Sequence, residues 1–331
     1  MTAVPTELVR VIRSGFHECS HYGALVVLGP DGSTMLALGD VTGPVFPRSS
    51  NKPFQATAML AVGADLADAD LSLSAASHSG EPMHTERALQ ILARHGLTED
   101  ALGCPPDLPM DEPTRDEVIR STAPGEPLAR RIFMNCSGKH SGMLAACVAA
   151  GFDTAGYLDP QHPYQQQVID EITRLTGETP AAIAVDGCGA PLAAISLTAL
   201  ARGFASAVSA EPGTSERAVA DAMRAHPELV AGTGRDDTLV MQSAPGVLMK
   251  GGAEGVHVAA LPDGSAVAIK ITDGAARARM PLMIPALQAL GVDFTGTSAE
   301  PLAVGQVLGG GQPVGTVAAA PEVMAALARL R

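Results

Sequence analysis

Two short turns constrain this 331-residue chain more than any other feature. Pro30-Asp31-Gly32-Ser33 interrupts one apolar run and Pro262-Asp263-Gly264-Ser265 interrupts another. Glycine supplies the positive φ of a tight turn and the residues before it start the turn, so antiparallel hairpins are predicted over residues 24–39 and 256–272. The shared tetrapeptide is too short to mark a repeat. Residues 8–40 read as strands, and Val247-Leu248-Met249 reads as another. Helical periodicity dominates elsewhere, predicting helices over 53–62, 83–95, 143–150, 164–176, 191–202, 214–224 and 280–290. Strands from both chain ends and helices from the middle pack most simply as an α+β fold, a mixed-order antiparallel sheet with helices against it. One catalytic domain over residues 1–331 is expected. Its sheet would draw on about 8–40 and 247–273 plus the C-terminal part, and its helical middle on about 50–245.

The connections carry expectations of their own. Residues 41–48 suit a loop that delivers the chain into a helix near Pro53, where a first-turn proline loses no hydrogen bond. His84 reads as a first-turn surface residue of the 83–95 helix. Residues 103–127 hold six prolines and many acids, which predicts a long irregular segment. Residues 182–185 read as a short strand leading Asp186-Gly187-Cys188-Gly189 into the following helix. The last thirty residues read as an extended tail ending in a helix over 322–330.

Composition narrows the function classes. Aromatics make up 3% of the chain and tryptophan is absent, so the core must be aliphatic and base stacking is not a plausible role. A net charge of -13 argues against nucleic acid or an anionic membrane as partner. No uncharged apolar run reaches the length of a membrane span. The first seven residues lack the basic start and apolar stretch of a secretion signal, which points to a cytoplasmic protein. The five cysteines, an odd number without scaffold spacing, are expected as reduced thiols.

Chemistry concentrates around the few lysines. Four of the 22 basic residues are lysine, and Lys52, Lys139 and Lys250 lie in glycine- or serine-rich polar segments. Lysine can act as a base once it is desolvated or set beside another cation, which arginine cannot. In Arg48-Ser49-Ser50-Asn51-Lys52-Pro53 the amine lies one helical turn from the Ser49 hydroxyl, the S-x-x-K arrangement of serine hydrolases that use no histidine. The plainer reading of Ser49 is a helix N-cap. Ser77-His78-Ser79 and Lys250-Gly251-Gly252 follow in the order seen in penicillin-binding proteins and serine β-lactamases. The S-x-x-K helix is then expected beside the strand that bears Lys250. Lys270 reads as a strand lysine facing water.

A second group holds Cys136, Lys139, His140, Asp186 and Cys188. Two thiols in separate loops with a histidine or carboxylate nearby can make a zinc site, and buried free cysteines are the alternative. Cys19, Cys104 and Cys147 have only the packing reading. His78 either orients a hydroxyl or lines a loop. Gly232-Thr233-Gly234-Arg235 is not a nucleotide loop, because no strand precedes it and no G-K-[ST] follows.

Taken together, Arg48 to Pro53, Ala76-Ser77-His78-Ser79-Gly80-Glu81, the run Asn135 to Leu144, Asp186-Gly187-Cys188, the run His226 to Arg235 and Lys250 to Gly255 resemble the class 3 (Rhizobium-type) L-asparaginases of the asparaginase II family. The resemblance implies a serine β-lactamase-like fold and hydrolysis of L-asparagine to L-aspartate and ammonia. It implies Ser49 as nucleophile, Lys52 as its base, and Ser77 with Lys250 as a second serine-lysine pair. It also implies zinc on Cys136, Lys139 and Cys188, with Arg48, His140 and Asp186 at the substrate, in a homodimer. A β-lactamase-like or peptide-acyl hydrolase using the same S-x-x-K is the competing enzyme. A non-enzymatic metal-binding protein, with Ser49 only a cap, is the competing non-enzyme.

Overall fold

A computed structural model of the chain describes residues 6–330, so Met1 to Pro5, the start of the segment read for a secretion signal, lies outside them. The strands are β1 (Thr6–Arg13), β2 (Phe16–Leu28), β3 (Thr34–Leu38), β4 (Pro44–Val45), β5 (Ala182–Val185), β6 (Pro191–Ser196), β7 (Leu248–Gly251), β8 (Val256–Ala260), β9 (Ala266–Ile271), β10 (Gly305–Gly309) and β11 (Gln312–Ala319). The main sheet is antiparallel and runs β10-β11-β1-β2-β9-β8-β7, with β3 also on β2. Both Pro-Asp-Gly-Ser turns close hairpins, β2 on β3 and β8 on β9. The hairpins join where β2 meets β9, from Gly23 opposite Ile271 to Leu28 opposite Ala266. The two chain ends thus build one sheet, the α+β arrangement.

The helices are α1 (Lys52–Ala61), α2 (Asp68–Ser74), α3 (Pro82–Arg94), α4 (Glu112–Ser121), α5 (Ser137–Ala150), α6 (Pro163–Thr176), α7 (Leu197–Ser209), α8 (Ser215–Ala225), α9 (Pro227–Val230), α10 (Asp236–Ser243), α11 (Met280–Ala289) and α12 (Pro321–Leu327). Helices α7 and α11 both pack on the sheet. Every residue of β8 and of the stretch Ala24 to Leu28 is buried, so the central strands are covered on both faces and carry no polar alternation. No helix among the described residues is long and apolar enough to cross a membrane.

Five local expectations differ from what forms. Residues 191–196 are strand β6, paired with β5, and α7 starts only at Leu197, capped by Ser196 Oγ accepting from the Ala199 N–H. A short apolar run buried on every side has no period to tell strand from helix. Asp186 to Gly189 therefore turns a hairpin, with Gly189 at φ +88, and leads into a strand. Residues 112–121 are helix α4, capped by Asp111, and none of its residues is buried, so it shows no apolar stripe. Helix α5 begins at Ser137 rather than 143. Gly138 and Gly142 lower helix propensity but let α5 lie against α2, since a Cβ on Gly142 would sit 2.5 Å from Ser74 Oγ. The C-terminal tail is a hairpin, β10 on β11, that adds to the sheet through β1 with Val9 opposite Ala319.

Candidate active site

The chain enters α1 through a single 3-10 turn, Arg48–Asn51. In a 3-10 turn residues three apart eclipse, so Ser49 and Lys52 share one face, and the Lys52 backbone N–H donates to the Ser49 carbonyl. Arg48 just before the serine has φ +52, a left-handed conformation that costs a side-chain-bearing residue energy and persists only where its surroundings hold it. Two contacts supply that hold. Arg48 Nε donates to Asp186 Oδ1 at 2.7 Å, and Ser50 Oγ donates to the Lys250 carbonyl at 3.0 Å, tying the turn to β7. Gly252 makes the close approach possible: a Cβ there would lie 2.5 Å from the Pro47 carbonyl and 3.0 Å from Ser50 Oγ.

Lys52 is 1% exposed, and its Nζ donates to the Ala76 carbonyl at 2.5 Å and to Ser77 Oγ at 2.8 Å. Ser49 is half-buried, and its hydroxyl has no hydrogen-bond partner among the described residues. Lys250, also 1% exposed, donates to the Gly251 carbonyl at 2.8 Å and lies 3.6 Å from Asp237 Oδ2. The hydrogen bond of Ser77 thus goes to Lys52 rather than to Lys250. Burial pushes the Lys250 amine down to about 8; Asp237 opposes the fall and the nearby Lys52 adds to it. Burial works to raise the Asp237 carboxyl, but His257 and Lys250 hold it well below its ordinary range. His257 Nε2 is 2.6 Å from Asp237 Oδ1, and the Gly251 N–H donates to Oδ2 at 3.0 Å. Ser49, Ser77 and Lys250 open together onto a cavity of about 300 Å³, which Arg235, Asp237 and Glu254 also line.

The histidines near this cavity are structural in their contacts. His78 is fully buried, with Nδ1 accepting from the Gly80 N–H and Nε2 2.9 Å from Ser137 Oγ, so it orients the start of α5 rather than Ser77. His84 was expected on the surface. It is buried instead, stacked on His78 at 5.0 Å and bonded to the Glu228 carbonyl, because α3 turns its first residues inward.

The second group assembles at the start of α5 and the β5–β6 turn. Lys139 Nζ donates to Cys188 Sγ at 3.0 Å, and Cys136, Lys139, His140 and Cys188 are all buried. Cys136 Sγ donates to Asn135 Oδ1 at 3.0 Å, the neighbouring Cys188 and burial push the Cys136 thiol up, and Cys136 with the Lys139 ammonium pulls Cys188 well down toward thiolate. Burial pushes the His140 imidazole down to about 4. Its Nδ1 is 2.6 Å from the Tyr157 hydroxyl, while its Nε2 has no hydrogen-bond partner among the described residues and lies beside the Cys188 sulfur. The Cys188 sulfur, with the Lys139 amine and the His140 imidazole beside it, offers nitrogen and sulfur donors of the kind zinc takes. Among the described residues no three His, Cys, Asp or Glu side chains come together at metal-binding separation. A metal here therefore requires the Lys139 amine as a ligand, stripped of its proton.

Asp237, His257 and Arg235 escaped the sequence reading. Arg235 was visible only as the last residue of a motif. Asp237 and His257 meet through the β7–β8 pairing, Gly251 opposite His257, which no local pattern encodes.

A family model for L-asparaginase II matches residues 9–319. No functionally curated protein matches the chain significantly. Among solved structures the chain is similar to a β-lactamase from Mycobacterium bovis, at 16% identity and TM-score 0.41 over 76% of this chain and 88% of that one. It is also similar to a provisionally assigned β-lactamase from Bacteroides dorei DSM 17855, at 17% identity and TM-score 0.40 over 75% and 84%.

Proposed function

We propose, from the premise that this chain belongs to the L-asparaginase II family, that it is an amidohydrolase releasing ammonia from the side-chain amide of L-asparagine. The observation that carries the reading is the buried Lys52 amine, bonded to Ser77 and on the same face as Ser49, behind a cavity that both serines and Lys250 line. Ser49 is the nucleophile in this reading. Its free hydroxyl faces the cavity residues, and its oxygen attacks the amide carbon as its proton passes to Lys52. Backbone N–H groups at the start of the 3-10 turn stabilise the oxyanion. Lys52 returns the proton to the leaving nitrogen and ammonia departs. A water then gives a proton to Lys52 and attacks the acyl ester, and Lys52 passes that proton to the Ser49 oxygen as the ester bond breaks, freeing L-aspartate. Ser77 and Lys250 relay protons and set the charge of Lys52, and Asp237 holds Lys250 in place.

Arg48 and Asp186 act as one ion pair that orients the amino-acid end of the substrate. Cys136, Lys139 and Cys188 would hold zinc, with His140 behind them. When bound, zinc supplies a fixed positive charge that orients the substrate. We also propose a cytoplasmic enzyme, in keeping with five free cysteines, that works as a homodimer, the latter carried by family resemblance alone.

Ammonia release from L-asparagine, measured beside nitrocefin hydrolysis, tests the proposal. Turnover of asparagine and none of nitrocefin supports it; the reverse identifies a β-lactamase-like hydrolase instead.

A further inference from the structure

The cavity wall is rich in charge, and most of that charge is already committed. Glu254 lies 3.8 Å from Arg48, which stands behind the wall and is bound to Asp186 at 2.7 Å. Arg279 donates to the Gly252 carbonyl at 2.9 Å and lies 3.8 Å from Asp236. Lys250 and His257 share Asp237. Arg235 differs: among the described residues its guanidinium makes no hydrogen bond and no ion pair, yet it lines the cavity with Ser49, Ser77 and Lys250 and its charge reaches Lys250.

The loop that carries Arg235 is firmly mounted. Glu81 accepts from the Thr233 N–H at 2.8 Å and from Thr233 Oγ1 at 2.7 Å, and Ser79 Oγ donates to the same carboxylate at 2.6 Å. Thr238 Oγ1 donates to the Gly232 carbonyl at 2.7 Å, and the Ser77 N–H donates to the Val230 carbonyl at 2.9 Å. Gly232 has φ +131 and sits so close that a Cβ would fall 1.9 Å from Ser79 Oγ. The backbone of Arg235 therefore rides on the segment that also positions Ser77, so the root of its side chain is set relative to the serines. A planar cation with no counter-ion among the described residues, lining an amide-hydrolysing site, suits a carboxylate held in two parallel hydrogen bonds.

We infer that Arg235 receives the α-carboxylate of the substrate, so that the site selects free α-amino acid amides over amides lacking that group. The inference rests on the amidohydrolase reading and names the residue that sets its substrate class. Arg48 is engaged by Asp186, and that ion pair is left to the α-amino part of the same end of the substrate.

The test compares wild type with Arg235→Ala and Arg235→Lys on L-asparagine and on β-alaninamide, which keeps the reacting amide but has no carboxylate. Calorimetric titration with L-aspartate reads binding without turnover, and thermal melts check that the variants fold. Expected for Arg235→Ala is a loss of about a hundredfold in kcat/KM for asparagine, mainly in KM, with a much smaller loss on β-alaninamide through the changed field at Lys250, and L-aspartate binding weakened about as much as asparagine turnover. Arg235→Lys should fall between the two. Equal losses on both substrates, or unchanged L-aspartate binding, would overturn the assignment. A wild type that releases no ammonia from asparagine would overturn the amidohydrolase reading, while the L-aspartate titration still decides whether Arg235 binds a carboxylate.

Discussion

Lys52 Nζ donates to Ser77 Oγ at 2.8 Å, while Ser49, three residues earlier on the same face, leaves its hydroxyl without a hydrogen-bond partner among the described residues. The amine thus has a resting partner and a free neighbour. A serine whose oxygen already accepts from the amine is poorly placed to give its own proton to it. The unpartnered one is free to turn toward a substrate carbonyl.

That asymmetry separates the three residues by kinetics. Ser49→Ala and Lys52→Ala should each remove nearly all turnover, roughly a thousandfold or more, because one deletes the attacking oxygen and the other its base. Ser77→Ala should cost less, roughly a hundredfold, since Lys52 keeps its bond to the Ala76 carbonyl. Steady-state ammonia release checks this; more than a few per cent retained by Ser49→Ala would refute the assignment.

The pH profile should report Lys250. Its pKa is pushed down to about 8 by burial, so below that pH Lys250 is a cation and above it Lys250 is neutral and able to accept a relayed proton. kcat/KM for asparagine should rise as pH passes upward through about 8. Arginine cannot shed its proton in this range, so Lys250→Arg should flatten the rise and lower the plateau. A wild-type profile that falls as pH rises through about 8 would contradict the relay.

Metal binding should show itself in protons and stability. Loading zinc takes a proton from Lys139 and from the Cys136 thiol, so titration with zinc should acidify a weakly buffered solution. At about a hundredfold excess over its Kd the ion should add ~2.7 kcal/mol of stability, seen as a rise in Tm that a chelator reverses. Cys188→Ala should abolish both signals. Zinc binding unchanged in that variant would place the ion elsewhere.

Gly252 should be intolerant of a side chain. A methyl group would meet the Pro47 carbonyl at 2.5 Å, and relief of that clash must move β7 away from the 3-10 turn and with it Lys250 from Lys52. Gly252→Ala should lower Tm and cut kcat at least about tenfold. Full activity in the variant would show that the strand and turn need not touch.

The parts of the fold written in local chemistry were legible beforehand. The two Pro-Asp-Gly-Ser turns gave their hairpins, and the S-x-x-K spacing put Ser49 and Lys52 on one face. What escaped depends on contacts between distant segments. Pro191–Ser196 is a strand because β5 lies beside it, and α4 forms on the surface with a cap but no buried face. Asp237 and His257 become partners only when β7 and β8 pair. The bond from Lys52 to Ser77 depends likewise on the Val230 carbonyl fixing residues 76–77, a contact that spacing along the chain does not reveal.

The most direct measurement is to trap the acyl-enzyme, or label the protein with an asparagine analogue carrying an electrophilic diazoketone, and locate the adduct by peptide mass spectrometry. The adduct is expected on Ser49, absent in Ser49→Ala and strongly reduced in Lys52→Ala. An adduct on Ser77, or labelling that survives in Ser49→Ala, would contradict Ser49 as the nucleophile.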